Sequence, residues 1–339
     1  MNKTGIQFKN TSFYKSLSSR TSLTRLLLIL IAIFIILSIL NPKFTLSTRN
    51  LSSVSIQFPE FGFMCLGMML SMVIGGIDLS IVSIANLSGI LSMMYLTSHI
   101  VDEQSPGSVR STIAIAIIIA IAIGLCCGLL NGVLVSKIGI PPILTTLGTM
   151  QVFTGIAVGI TKGASISGYP SEFTGFANRA ILGIPKQIIL FFVAVLIVWM
   201  IIDRSILGKQ MKLLGANERA SIYAGQVNDS IRIKTFAIIG VLSAISGLLL
   251  ASHTNSVKAG YGSTYTMQTI LVCVMGGVDP NGGHTNLGGV IIAVITLQIL
   301  ATGLNVMHVS THVQTFVCGC LLIGIMIINQ LTEKGNTSN

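Results

Sequence analysis

Charge is what this chain has least of. Asp, Glu, Lys and Arg make up 9% of its 339 residues, against about 25% in a soluble globular domain. That scarcity, with a mean hydropathy of +0.84, excludes an ordinary water-soluble fold. The apolar residues come in long runs without period-two alternation, which disfavours a transmembrane β-barrel and leaves membrane helices. No G-x-x-x-x-G-K-[ST] run occurs, so the chain lacks a nucleotide-binding loop of that kind. G-x-S-x-G and H-E-x-x-H are also missing, and nothing supports an intramembrane enzyme or a bound cofactor. The six cysteines show no CxxC or Cys/His spacing and all sit in apolar runs, so they read as buried free thiols. A net charge of +10 raises the question of nucleic acid, but the basic residues cluster at the ends of apolar runs, as membrane topology requires.

What is present is a series of apolar spans. They are expected at about 23–40, 52–74, 80–98, 112–135, 143–161, 187–202, 233–252, 265–275, 290–305 and 313–329, which makes an all-α membrane protein of about ten helices. A crossing needs about 20 residues, so the eighth and ninth spans read as broken or partly re-entrant. Residues 1–22 form a polar, basic segment and 331–339 a polar tail, with the transmembrane domain over 23–330 between them. The first span follows basic residues like a signal peptide, but Asn41-Pro42-Lys43 is a poor cleavage site, so it is expected to remain. Ten spans put both termini on one side, which then holds 13 Lys and Arg against 7 opposite. The bias orients the termini and the 203–234 segment to the cytoplasm of a bacterial inner membrane.

Asp203–Lys234 is the longest polar stretch between spans, with six basic and three acidic side chains. Neither lipid nor an apolar core accepts it, and it reads as a loop that meets a soluble protein. Glycines recur every four residues at Gly124, Gly128 and Gly132, and again at Gly155 and Gly159, the spacing of close helix packing in lipid. Two related breaks follow apolar runs. Gly75-Gly76-Ile77-Asp78-Leu79-Ser80 closes the second span, and Gly276-Gly277-Val278-Asp279-Pro280-Asn281 closes the eighth. Their acids either cap the next helix or belong to gates that line a pathway.

Glu60 is the one carboxylate well inside an expected span, a costly position that is functional by default. With Gln57, Phe58 and Phe61 it offers the amide, carboxylate and aromatic groups a polyhydroxylated ligand needs. Asn86, Gln151 and Asn305 join them as candidate pathway residues. His308 and His312, four apart, are expected in a loop and not in a metal site.

Four segments together resemble a known family: GGIDLS, then GLLNGVLVSKIGIPPILTTLGTM (Gly128–Met150), LLGANERASIYAG (Leu213–Gly225) and CVMGGVDPNGG (Cys273–Gly283). They are similar to permease subunits of bacterial ABC sugar importers of the ribose, xylose, galactose and autoinducer-2 branch, over about Leu51–Gln330. The resemblance implies a pair of permease chains, ATP-binding subunits beneath them and an extracytoplasmic sugar-binding protein that delivers a small sugar. It also implies a coupling segment, matched here by Gly215, Asn217, Glu218, Arg219, Ala220 and Gly225. Arg219 stands where a small residue is common, Pro280-Asn281 departs from the small residues usual after GGVD, and Pro59-Glu60 departs from the usual apolar or amide pair. The competing class is a secondary transporter driven by protons or sodium, with Glu60 as its carboxylate.

Overall fold

The computed structural model describes residues 11–40, 48–99, 106–178, 180–181, 184–310, 312–321 and 323–324. Asn41-Pro42, the loop acids Asp102 and Glu103 and the 331–339 tail lie outside the described residues. The helices are α1 (Thr11–Leu40), α2 (Thr48–Val73), α3 (Ile81–His99), α4 (Pro106–Ser136), α5 (Pro142–Thr161), α6 (Ser171–Asn178), α7 (Lys186–Trp199), α8 (Ile206–Ala216), α9 (Glu218–Tyr223), α10 (Asn228–Thr254), α11 (Tyr265–Met275), α12 (Leu287–Val306) and α13 (His312–Leu321). Among the described residues seven are long and apolar enough to cross a membrane, and three shorter apolar stretches bring the set to the ten expected. At about 1.5 Å per residue α11 spans only about 16 Å and cannot cross alone, whereas α12, with 20 residues, has the length to cross.

Burial sorts the spans into two shells. The apolar windows of α2, α10 and α3 are 89%, 78% and 72% buried, while those of α4, α5 and α7 are 28% buried. An inner trio is thus wrapped by helices whose outer faces carry exposed Ile, Leu, Val and Phe, as a lipid solvent allows. Cysteines follow the same division. Cys65, Cys127 and Cys273 are buried, but Cys126 and Cys320 are exposed on outward faces, which corrects the expectation that all are buried.

The glycines of α4 pack as their spacing implies. A Cβ at Gly128 would strike the Phe236 carbonyl, and one at Gly132 would lie 2.8 Å from the Ile233 Cα, so α4 and α10 meet backbone to backbone. Gly155 and Gly159 do not pack this way. Nothing lies within 4 Å of either, because α5 turns that face outward.

The largest correction concerns 203–234, which is helical and not an open loop. A π-helical turn at Met200–Arg204 ends the α7 span. Ser205 then caps α8, its Oγ accepting from the Gly208 N–H at 3.1 Å. Asn217 ends α8 and starts α9, its Oδ1 accepting from the Ala220 N–H at 3.0 Å. Gly225, at φ 75°, turns the chain into α10. Two antiparallel two-residue ladders stiffen the opposite connections: Ile166–Ser167 pairs with Ser256–Val257, and Ala180–Ile181 with Ile184–Pro185.

Candidate functional site

Two places bring the candidate residues together: a polar cavity among α2, α11, α12 and α13, and a backbone junction where both glycine breaks meet α8.

The cavity, of about 240 Å³, is lined by Gln57 and Phe61 of α2, Tyr265 and Gln268 of α11, Gln298 and Asn305 of α12, and Gln314 of α13, among others. No charged side chain lines it among the described residues. Its amides are already paired. Gln298 Nε2 donates to Gln57 Oε1 at 2.9 Å, and Gln314 Nε2 donates to Asn305 Oδ1 at 2.6 Å. Phe61 and Tyr265 set their rings 5.3 Å apart on its wall. Of the expected pathway residues, Gln57, Phe61 and Asn305 therefore share one wall. Glu60 lies behind it, 3% exposed, its Oε2 3.4 Å from His253 Nδ1 on α10. Its backbone carbonyl accepts from Ser246 Oγ at 2.5 Å. Phe58 packs edge-on to Phe191 at 5.0 Å. Asn86 is buried on α3, where Nδ2 donates to the Ala259 and Tyr261 carbonyls and holds the segment that leads to α11. Gln151 is exposed on α5 and does not line the cavity.

The junction is built from absent side chains. Val73 at the end of α2 accepts from the Gly283 N–H at 2.9 Å. A Cβ at Gly215 of α8 would collide with that same Val73 carbonyl and stand 2.5 Å from Gly283 N. One at Gly282 would lie 2.8 Å from both the Gly215 Cα and Gly75 N. The end of α8 thus sits in a slot formed by the two breaks, and only glycine leaves room for it.

Around this slot the breaks differ. Asp78 is fully buried, and its Oδ1 accepts from the Ser80 N–H at 2.8 Å and the Ser80 hydroxyl at 2.6 Å. Asn131 of α4 donates to Ser80 Oγ at 2.8 Å. Thr146 of α5 accepts from the Leu79 N–H at 3.1 Å. Burial pushes the Asp78 carboxyl up to about 6, partly offset by the Ser80 hydrogen bonds. Asp279 is exposed, and among the described residues its side chain accepts only from the Asn281 N–H, at 2.8 Å. It does not cap α12, since Asn286 does so through Gly289 N. Pro280 occupies the second position of the Asp279–Gly282 turn, where its fixed φ suits the geometry.

Beyond the junction, the coupling residues fall into two kinds. Glu218 is exposed but paired within the chain, 2.7 Å from Arg232 of α10. Asp203 and Asp229 are likewise paired, with Lys212 at 2.6 Å and Lys137 at 3.1 Å. Arg219 is exposed and Ala220 half-buried. The residues that stand out are ones sequence reasoning passed over: Tyr223 is 91% exposed, with Val227 at 66% and Ile222 at 58% beside it. The charge of the segment hid them, although two large apolar residues in a row inside a polar stretch were a readable signal. Asn131 and Thr146 were also missed, though both lie within the run that carries the resemblance.

The comparisons with known proteins agree with this architecture. The family described as branched-chain amino acid transport system / permease component matches residues 50–326. The ribose import permease protein of Bacillus subtilis is 33% identical over 89% of this chain and 90% of its own length. The D-allose transport system permease protein of Escherichia coli is 27% identical over 91% of each chain. The autoinducer 2 import system permease protein of Yersinia enterocolitica is 30% identical over 84% of this chain and 86% of its own. No solved structure matches. The chain is thus a multi-pass inner-membrane transport protein and not an enzyme, and it belongs to the permease-component family of ABC importers, in the branch that holds the ribose, allose and autoinducer-2 permeases.

Proposed function

We propose that this chain is the membrane half of an ATP-driven importer for a small uncharged polyol, a monosaccharide or an autoinducer-2-like compound. The observation that carries the reading is the cavity, with paired amides, two aromatic rings and no charged lining side chain. Amides offer donors and acceptors to hydroxyls without the desolvation cost of an ion. Because four of the five lining amides are bonded in pairs, and Gln268 donates to the Cys318 sulfur, a sugar exchanges one hydrogen bond for another and gains little. That weakness suits an importer, which has to release what it takes. The relatives' names, ribose, D-allose and autoinducer 2, fall in the same chemical class.

The energy enters from a separate ATPase at α9, on the cytoplasmic side. Tyr223, Ile222 and Val227 are exposed apolar side chains of this segment, and its exposed Arg219, Lys209 and Lys234 have no ion partner among the described residues. It fits a cleft with an apolar floor and an acidic rim. A push on α9 passes through Asn217 to α8, and at Gly215 to both breaks. An extracytoplasmic binding protein delivers the sugar on the other side, and a second permease chain, identical or related, completes the pathway.

The test is uptake in liposomes that hold the permease, the ATPase and the binding protein. Tyr223→Ala removes an exposed anchor without touching the fold. It should weaken ATPase assembly roughly 30-fold, the scale of an interfacial tyrosine, and abolish concentrative uptake with it. Concentrative uptake by the permease without its ATPase would overturn the reading in favour of a secondary transporter.

A further inference from the structure

A second cavity, of about 610 Å³, shares no lining residue with the amide-lined one. One wall is α7, with Phe192, Leu196 and Trp199, and the other is the start of α12, with Leu287 and Ile291. Phe192 is 49% exposed and Leu196 54%, so the upper half of the groove opens sideways to the surroundings of the span. The lower half ends on a pair of opposite charges, Asp203 and Lys212. Lys212 Nζ donates to Asp203 Oδ1 at 2.6 Å. This leaves two of the three lysine N–H groups and Asp203 Oδ2 without partners among the described residues.

The place of this pair decides what could use it. The span Lys186–Arg204 finishes here, where apolar sequence gives way to the polar α8–α9 hairpin. Trp199, the only tryptophan of the chain, lies in the wall with the Arg204 guanidinium 5.1 Å above its ring. An aromatic ring and an arginine at the end of a span mark the boundary between hydrocarbon and headgroups. A sugar has no use for the apolar upper half, and a soluble anion would meet the Asp203 carboxylate. A molecule with two acyl chains, a phosphate and an ammonium matches every part. Its chains lie along α7 and α12, its phosphate takes the free Lys212 N–H groups, and its ammonium donates to Asp203 Oδ2. The volume is within the range of about 300–1,000 Å³ usual for ligand sites.

We propose that this groove holds one aminophospholipid of the phosphatidylethanolamine type. The ion pair reads its headgroup. A choline headgroup has no N–H for Asp203, and a glycerol headgroup leaves the carboxylate facing an uncompensated phosphate. The lipid would also brace the moving parts, since Lys212 lies three residues before Gly215, and Asn286 three residues after Gly283. Lipid composition would then tune how firmly α8 is held in its slot.

Trp199 makes the proposal measurable, because no other tryptophan contributes to the emission. The full-length protein is placed in vesicles of phosphatidylcholine mixed with brominated phosphatidylethanolamine, brominated phosphatidylcholine or brominated phosphatidylglycerol, all with the same chains. Quenching of Trp199 should show phosphatidylethanolamine favoured over either competitor by roughly tenfold, the scale of one charge-assisted hydrogen bond. Asp203→Asn should reduce the preference over choline to near unity. Lys212→Gln should lower the affinity for all three lipids. Asp203→Asn keeps side-chain shape, Lys212→Gln is shorter and uncharged, and for both a monodisperse elution profile equal to wild type confirms the fold. Equal quenching by the three lipids in wild type would show an unselective lipid belt and overturn the proposal. Selectivity that survives both variants would do the same. Failure to quench at all would mean that protein, and not lipid, covers the groove, and would overturn the proposal as well. The proposal rests on α7 spanning a bilayer and not on what is transported, so its failure leaves the import reading standing. Loss of uptake by Tyr223→Ala is likewise independent of it.

Discussion

The two glycine breaks share a local design and differ in nearly everything around it. In each, an aspartate follows two glycines and accepts the N–H two residues on, Ser80 in one and Asn281 in the other. The first break is sealed. Asp78 is completely buried, and Asn131 and Thr146 tie its turn to α4 and α5. The second is more open: Asp279 is exposed and bonds within its own turn, and one backbone bond, from the Gly283 N–H to the Val73 carbonyl, ties the segment to α2. A fixed turn and a loose one press on the same residue, Gly215, from two sides. The difference teaches which of them can move. On the coupling proposed above, a shift of α8 would be transmitted by the first break into the inner trio of helices and absorbed by the second.

The strongest way to break this comparison is to fill the slot. Gly215→Val places a branched side chain where even a Cβ collides with the Val73 carbonyl. Overpacking of a tight site costs typically about 1–3 kcal/mol, and backbone neighbours on both sides favour the upper end here. Uptake should fall below about a tenth of wild type, and the thermal midpoint should drop by several degrees. If Gly215→Val transports at the wild-type rate, α8 does not work through the two breaks.

A sharper probe asks what sealing costs the first break. The Asp78 carboxyl rises from an ordinary 3.8 to about 6 because burial disfavours its charge. A raised carboxyl binds its proton more tightly in the fold than in the unfolded chain. The favourable contribution is therefore complete below about pH 3.8 and lost as the pH rises through about 6, a change of roughly 3 kcal/mol. Asp78→Asn keeps an acceptor for Ser80 and removes the titration. Unfolding midpoints measured from pH 4 to 7 should fall for wild type relative to Asp78→Asn over that window and run parallel above it. Parallel curves throughout would show that Asp78 is not sealed from water.

Much of this arrangement was legible in the sequence, and the illegible part has one cause. Long apolar runs locate helices because a backbone in lipid has to satisfy its own hydrogen bonds, and α11 begins and ends where its run does. The α8–α9 hairpin was read as a loop because charge density outweighed the caps at Ser205 and Asn217, which were present but not used. Glu60 was found because an acid in a span is conspicuous. Its partner His253 was not, since nothing in one sequence pairs residues so far apart. Gln57 and Gln298 are separated by 241 positions, and only the fold shows that they face one cavity. Asn86 and Gln151 show the converse: an amide in a span announces a function for its polarity, but not which wall it belongs to.

The smallest effect is expected at the open break, and it bears most directly on the contrast. Asp279→Asn preserves an oxygen for the Asn281 N–H and leaves Pro280 and Gly282 to form the turn. The side chain is exposed, so loss of its charge relieves no burial and breaks no buried network. Surface changes of this kind usually stay within about 0.5 kcal/mol. The thermal midpoint and the uptake rate of Asp279→Asn should both match wild type. A variant that folds with an unchanged midpoint but loses transport would mean that the Asp279 charge itself acts during the cycle. The second break would then be a charged gate and not a passive hinge, and the division of labour between the two turns would have to be reversed.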